Sequence, residues 1–400
     1  MQNQLQYELL RLEMRLEKSI SSRYYLDYNA TSPLSKRVQN FLQSGDFIFG
    51  NPSSVHTTGK RSKKFINATS EFLHDLFNLP PVKFSLVFHS GATEGINSFF
   101  KGIALHNFKN KQKCAFFFST VDHASVINLE EDLKAFGHNV YFFKVNNNGE
   151  FDLEEVSEQI KKSSENGMPA ILNYTHVNNE TGIVWPLENA LKIKKATGAI
   201  VHVDAVQTVG KIAHWEKILG ELDAYTFSGH KFGAMKSVGF TFLKKGIQLS
   251  PWIVGGGQQN GLRAGTENAL SIYSLKLALL DIVDNFNPDE LQKAKKLVEG
   301  LLEEKGTIVG KSSLNRNLNT IFVIFKAPYT ADLNTRFDLQ GIDVSKGSAC
   351  SSGVVKENRI LLSMGFSSAD SLSAIRFSFA PTLTYSETQE MASAIQKVLN

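Results

Sequence analysis

"AIVHVDAVQTVGK", residues 199 to 211, decides the fold. The apolar run Ala199 to Val203 stops at Asp204, and Gln207 follows three residues later. A short, nearly continuous apolar run marks a strand buried on both faces, as in a parallel sheet covered by helices. In such sheets ligands gather beyond the carboxyl ends of the strands, where Asp204 and Gln207 fall.

The same grammar repeats on either side. "FSLVF" (84–88), "AFFFS" (115–119), "VYFFKV" (140–145), "AILNYT" (170–175), "AYTFS" (224–228) and "VGFTFL" (238–243) also read as strands. Helical patterns such as "ATEGINSFFKGIALHNF" and "PLENALKIKKAT" lie between many of them. This predicts an α/β chain with a mostly parallel seven-stranded sheet covered on both faces. Past residue 258 come a Gly-rich stretch, an apolar helical pattern (269–284) and the polar "NFNPDELQKAKK". We therefore expect a large unit over residues 24–265 and a smaller α+β unit over 266–400. Leu5, Leu9, Leu12 and Leu16 keep helical spacing, so residues 1–23 read as an amphipathic helical extension.

Composition narrows the function class. Hydrophobic residues make up 42% and charged residues 20%, ordinary for a soluble enzyme. The net charge of +4 is dispersed without a basic run, so nucleic acid is not expected as a partner. No apolar run suits a membrane span and no signal-peptide core opens the chain. Two distant cysteines, Cys114 and Cys350, speak against a disulfide framework and for a reducing compartment, so a cytoplasmic location is expected. Cys114 sits in the apolar "KCAFFFST" and reads as core. Cys350 sits in the small, polar "VSKGSACSSG" (344–353), an unusual place for a structural thiol.

Polar residues gather just past the predicted strands. "HSGATEG" after the first could bind a phosphate through free helix N-terminal amides and the Thr93 hydroxyl. His123 follows the second strand, Asn178 the fourth, Asp204 and Gln207 the fifth, and Ser228, His230 and Lys231 the sixth. Any one of these could be a cap or a solvated loop residue. Together they supply what pyridoxal phosphate needs: a phosphate cradle, a lysine for the aldehyde, and a carboxylate that keeps the pyridine nitrogen protonated. Gln207 could donate to the phenolic oxygen of the ring. No metal site is expected.

At this point the chain resembles a known family. "DYNATSPL", "FGNPSSVHTTGK", "SGATEGIN", "HVNNETG", "HVDAVQTVGK", "SGHKFG", "GGGQQNGLRAGTEN", "GSACSSG" and "IRFSFAP" look, in order, like the cysteine desulfurases of the class-V aminotransferase group. The resemblance implies the fold-type-I architecture of pyridoxal-phosphate transferases and a homodimer. It implies conversion of L-cysteine to L-alanine with a persulfide on Cys350, for iron–sulfur clusters or thiolated tRNA through an acceptor protein. Lys231 would be the Schiff-base lysine, Asp204 the pyridinium partner, and Gln207 and Asn178 contacts of the ring oxygen. His123 would stack on the ring and move protons. Ala92, Thr93, Ser228 and His230 would hold the phosphate, with Thr266 reaching in from the second subunit, and Arg376 would grip the substrate carboxylate.

The chain departs from the family at "GAMKS" after "SGHKF", at "QQN", and at "SKG" before the cysteine. It ends 24 residues past Arg376, short of the tail that docks a scaffold protein in some members. The alternatives are a selenocysteine lyase or another class-V enzyme, and, from a different class, an interaction subunit that binds cofactor poorly.

Overall fold

The computed structural model describes residues 23–164, 167–326, 332–346 and 357–400. The expected N-terminal helix and the Cys350 segment lie outside the described residues. Strands are numbered in chain order. β1 is Tyr24–Tyr25, β2 Phe84–His89, β3 Ala115–Ser119, β4 Asn139–Phe143, β5 Ala170–Thr175 and β6 Ile200–Asp204. β7 is Ala224–Ser228, β8 Gly239–Lys244, β9 Gly306–Ile308, β10 Thr320–Phe325, β11 Ile342–Asp343 and β12 Ala374–Ser378.

The main sheet has seven strands in the order β2-β8-β7-β6-β5-β3-β4. All seven expected strands are present, and β8 alone runs against the others. The reason lies in chain length. Only residues 229–238 join β7 to β8, too few for a crossover helix, so the chain must turn back. Apolar runs such as "AFFFS" and "AYTFS" are buried at every position because helices cover both faces. Two large apolar clusters result, one holding Phe117, Leu172, Tyr225 and Phe240, the other Phe100, Phe116, Phe118 and Ile171. The helix Ala269–Asn285 packs into the first through Ile272, Leu275 and Leu279.

A second, antiparallel sheet, β12-β10-β9, carries its own cluster around Leu291, Val298, Ile321, Val323, Phe377 and Ile395. Strand β1 pairs with β11, and Asp27 bridges to Ser378 of β12. Those pairings thread residues 27–31 between the second sheet and the carboxyl end of the main one.

Register fixes what meets there. Thr175 at the end of β5 is paired with Asp204 at the end of β6, and Asp204 with Thr226 of β7. The segments carrying Asn179, Gln207 and Lys231 therefore leave the sheet side by side. No helix among the described residues is long and apolar enough to cross a membrane.

Candidate active site

A cavity of about 490 Å³ opens at this edge. Ala92, Thr93, His123, Asp204, Gln207, Ser228, His230 and Lys231 all line it. Residues scattered over 140 positions of sequence thus converge on one volume because each follows a strand of one sheet.

One wall is the start of the helix Ala92–Lys109. Gly91 precedes it with no side-chain cap, so the first-turn amides face the cavity with the positive end of the helix dipole. Glu94 in that turn does not spoil the wall. Burial pushes its carboxyl up, but the Arg263 guanidinium at 2.8 Å and the Ser90 amide more than compensate, and it is held down at about 2. Ser228 and His230 stand opposite, with His230 Nδ1 at 3.1 Å from Thr31 Oγ1. Burial and the neighbouring Lys231, Lys211 and Lys236 lower the His230 pKa to about 4, so the ring is neutral at pH 7.

Asp204 ends β6 and accepts from the Val206 amide at 3.1 Å. Burial raises its pKa to about 6, against the pull of Val206 and Lys231. Such a carboxylate gains by meeting a cation. Lys231 sits on the turn after β7, its Nζ donating to the Asn29 and Ala30 carbonyls, each at 2.8 Å. Burial first, then Arg376, lowers its pKa to about 8, which puts a reactive amine within reach of neutral pH. His123 caps a short helix, its Nδ1 accepting from the Ser125 amide at 3.1 Å, which leaves the proton of the neutral ring on Nε2. The ring opens onto the cavity yet lies deep among protein atoms. Burial, then Lys231 and Arg359, lowers its pKa to about 4.

Three expected residues do not line this chain's cavity, one of them, Thr266, expected at the second subunit's site. Asn178 does not line the cavity. Its side chain donates to Val121 O and accepts from the Glu180 and Thr181 amides, holding the turn after β5. Asn179 lines the cavity instead. Arg376 is buried behind the lining, with Nη1 on the Asn179 carbonyl at 3.0 Å and Nη2 on Asp27 Oδ1 at 2.5 Å. Thr266 is exposed and outside the cavity. Cys350 lies outside the described residues, but both flanks reach the site. Ser345 pairs with the backbone of Arg376, and Arg359 donates to the Thr120 and Asp122 carbonyls just before His123.

The residue that sequence reasoning missed is Asn29. Its amide donates to Asn179 O and Thr320 Oγ1, its Oδ1 accepts from Asn319, and its carbonyl receives both Lys231 and Gln207. The motif "DYNATSPL" contains it, but nothing local signals a contact across 202 positions.

The cavity fits pyridoxal phosphate in each of its parts: uncapped helix amides for a phosphate, a buried carboxylate for a pyridinium, an amine for an aldehyde. The aminotransferase class-V family model matches residues 24–391. A cysteine desulfurase from a Nostoc species is 32% identical, covering 94% of this chain and 92% of its own. A solved NifS-like protein superposes with a TM-score of 0.81 at 29% identity, over 94% of this chain and 99% of that one. The structure titled SspA in complex with cysteine matches with a TM-score of 0.77 at 25% identity, over 90% and 99%. Relatives matched over 94% of this chain carry the name cysteine desulfurase, and the chain belongs to the aminotransferase class-V family.

Proposed function

We propose that this protein converts L-cysteine to L-alanine and passes the sulfur as a persulfide on Cys350 to an acceptor protein. The observation that carries the reading is the single cavity lined by Lys231, Asp204 and the uncapped helix start. Ala92, Thr93, Ser228 and His230 would hold the phosphate of pyridoxal phosphate, Asp204 its pyridinium, and Lys231 its aldehyde. Bound there, the group supplies an electron sink for the bonds at the substrate's α-carbon.

The chain's own residues supply the rest. Lys231 Nζ, with its lowered pKa, takes the α-proton and returns one. His123, neutral and carrying its proton on Nε2, exchanges protons with the substrate. Arg376 receives the substrate carboxylate. Cys350 thiolate attacks the substrate sulfur, forming an S–S bond as the Cβ–S bond breaks, and the carbon framework is protonated and leaves as alanine. L-cysteine plus one thiol gives alanine plus one persulfide, so no external oxidant is needed.

Two further parts rest on the family resemblance. The acceptor is an iron–sulfur scaffold or a tRNA-thiolation relay. The working unit is a homodimer in which Thr266 completes the partner's phosphate site. Exposed Phe47, Phe49 and Val55, at 56%, 83% and 85%, favour burial against a second copy. Sedimentation showing a fully active monomer would remove the dimer.

The experiment is an absorbance spectrum of the purified protein with alanine and sulfide assays on L-cysteine. The expected result is a yellow protein that makes alanine. Lys231→Ala loses both the chromophore and its borohydride fixation, and loses turnover by at least about 10²–10⁴, the range for a positioned acid–base group. Borohydride-fixed cofactor on another residue would refute the assignment. A selenocysteine substrate run in parallel separates the lyase alternative.

A further inference from the structure

Lys211 is fully buried, and no carboxylate contacts it among the described residues. Its Nζ donates to Gln207 Oε1. Burying an amine without a counter-charge is costly, and in this chain the cost is visible: burial first, then Lys231 and Arg376, pushes its pKa well below the ordinary lysine value. Asp27 is the one charge pulling the other way. An apolar side chain of the same length would avoid that cost, so the amine must do something an apolar group cannot.

The turn that carries it is built for this placement. Gly210 sits at φ +66°, where a Cβ would come within 2.9 Å of Pro381, and it turns Lys211 back beneath Gln207, four positions earlier. Gln207 Nε2 donates to the Asn29 carbonyl at 2.9 Å. The two contacts together leave no freedom in the amide. A carbonyl can only accept, so Nε2 must face Asn29, and Oε1 must then face the Lys211 amine. With Oε1 occupied behind, Gln207 turns only its NH₂ group to the cavity that it lines. Lys295, the other deeply buried lysine among the described residues, donates to the backbone carbonyl of Asn317, which does not line the cavity.

We infer that Lys211 is a positioning residue that fixes the amide of Gln207 with its donor end toward the cofactor ring oxygen. The inference rests on the reading of the cavity as a pyridoxal-phosphate site. Without Lys211 only the single bond to the Asn29 carbonyl resists rotation of the amide, and a rotated amide presents an acceptor to an oxygen that carries negative charge. A donor there favours the ionised oxygen, so losing it raises the pKa of the lysine-bound chromophore.

The test follows the chromophore rather than turnover. Cofactor-free wild type, K211M, Q207L and the double variant are titrated with pyridoxal phosphate, and the visible band is followed against pH. K211M should fold, with an unfolding midpoint at or above that of wild type by circular dichroism. Its band pKa should rise by about one to two units, the worth of a hydrogen bond to a charged group. Its cofactor affinity should fall roughly tenfold. Q207L should show the same changes, and K211M should add nothing in the Q207L background. Wild type without a visible band would sink the cofactor reading itself. A normal wild-type band with K211M unshifted, or with the two effects additive, would overturn the positioning role. So would an unshifted Q207L, even if K211M proved insoluble.

Discussion

Arg376 Nη2 and Asp27 Oδ1 stand 2.5 Å apart, and they join β12 to the segment that carries Asn29 into the cavity wall. The guanidinium expected to receive a substrate carboxylate is therefore already charge-paired on one edge. Its other edge reaches the Asn179 carbonyl, and among the described residues Nε has no hydrogen-bond partner. A fork held on two sides is preorganised for a planar anion in a way an ammonium is not.

This arrangement makes Arg376→Lys informative. The KM for L-cysteine should rise about 10- to 150-fold, the worth of a charge-assisted hydrogen bond of about 1.5–3 kcal/mol. The affinity for pyridoxal phosphate should be unchanged, because the Arg376 guanidinium bonds Asp27 and Asn179 and none of the residues that would hold the cofactor. Parallel substrate kinetics and cofactor titration check it. A loss of cofactor affinity with an unaltered KM would place Arg376 in cofactor binding instead.

Asp204 sets a trade between stability and function. Burial raises its pKa from 3.8 to about 6, so in the cofactor-free protein the folded state holds a proton that the unfolded chain has released. Between those values stability falls as pH rises, and above 6 the full cost is present. Asp204→Asn should therefore stabilise the cofactor-free protein at pH 7 by about 1–3 kcal/mol. The gain should vanish below pH 4, and the same variant should bind pyridoxal phosphate far more weakly. Chemical denaturation at pH 4 and pH 7, paired with a cofactor titration, decides it. A variant less stable than wild type at pH 7 would show that Asp204 serves the fold rather than the site.

The seven strands of the main sheet were legible because burial on both faces leaves mostly apolar runs, broken only by single polar residues such as Asn173 and His202. The direction of β8 was not, since periodicity carries no sense of direction and the short link to β7 decides it. Strand-end residues were legible as a set, because one rule of topology gathers them. At "HVNNETG" the expectation named Asn178 for the cavity. Either asparagine could hold the turn while the other faces the cavity, and Asn178 takes the turn. Asn29 and Lys211 were not legible. Their partners lie across the fold or, for Lys211, on a turn whose geometry Gly210 sets.

The departure "GAMKS" has a local consequence. Ser237 takes φ +60°, the left-handed region that costs a residue with a Cβ about 1–2 kcal/mol. Ser237→Gly relieves that and loses about 0.5–1 kcal/mol of backbone entropy. The net expectation is a gain of about 0.5–1 kcal/mol, with unchanged cofactor affinity because the backbone path beside Lys236 is retained. Thermal unfolding of the two proteins measures it. A destabilised glycine variant would mean that the Ser237 side chain holds something at the cavity rim.

The two cysteines should behave as opposites. Cys114 is fully buried beside Phe116, and burial raises its pKa to about 12, so it is neither a thiolate nor in reach of substrate. Cys350 follows "SKGSA", and its flanks are tied to Arg376 on one side and to the strand end before His123 on the other. Both described flanks of the Cys350 segment thus end beside the cavity. Cys350→Ser should therefore fold, turn yellow with pyridoxal phosphate and change its spectrum on adding L-cysteine. It should make almost no alanine, because a serine hydroxyl stays protonated near neutral pH and has little affinity for sulfur. Wild type treated with L-cysteine should gain one sulfur mass on the Cys350 peptide and none on the Cys114 peptide. Near-normal alanine production by Cys350→Ser would remove the persulfide step and leave a lyase in which sulfur departs without an enzyme nucleophile.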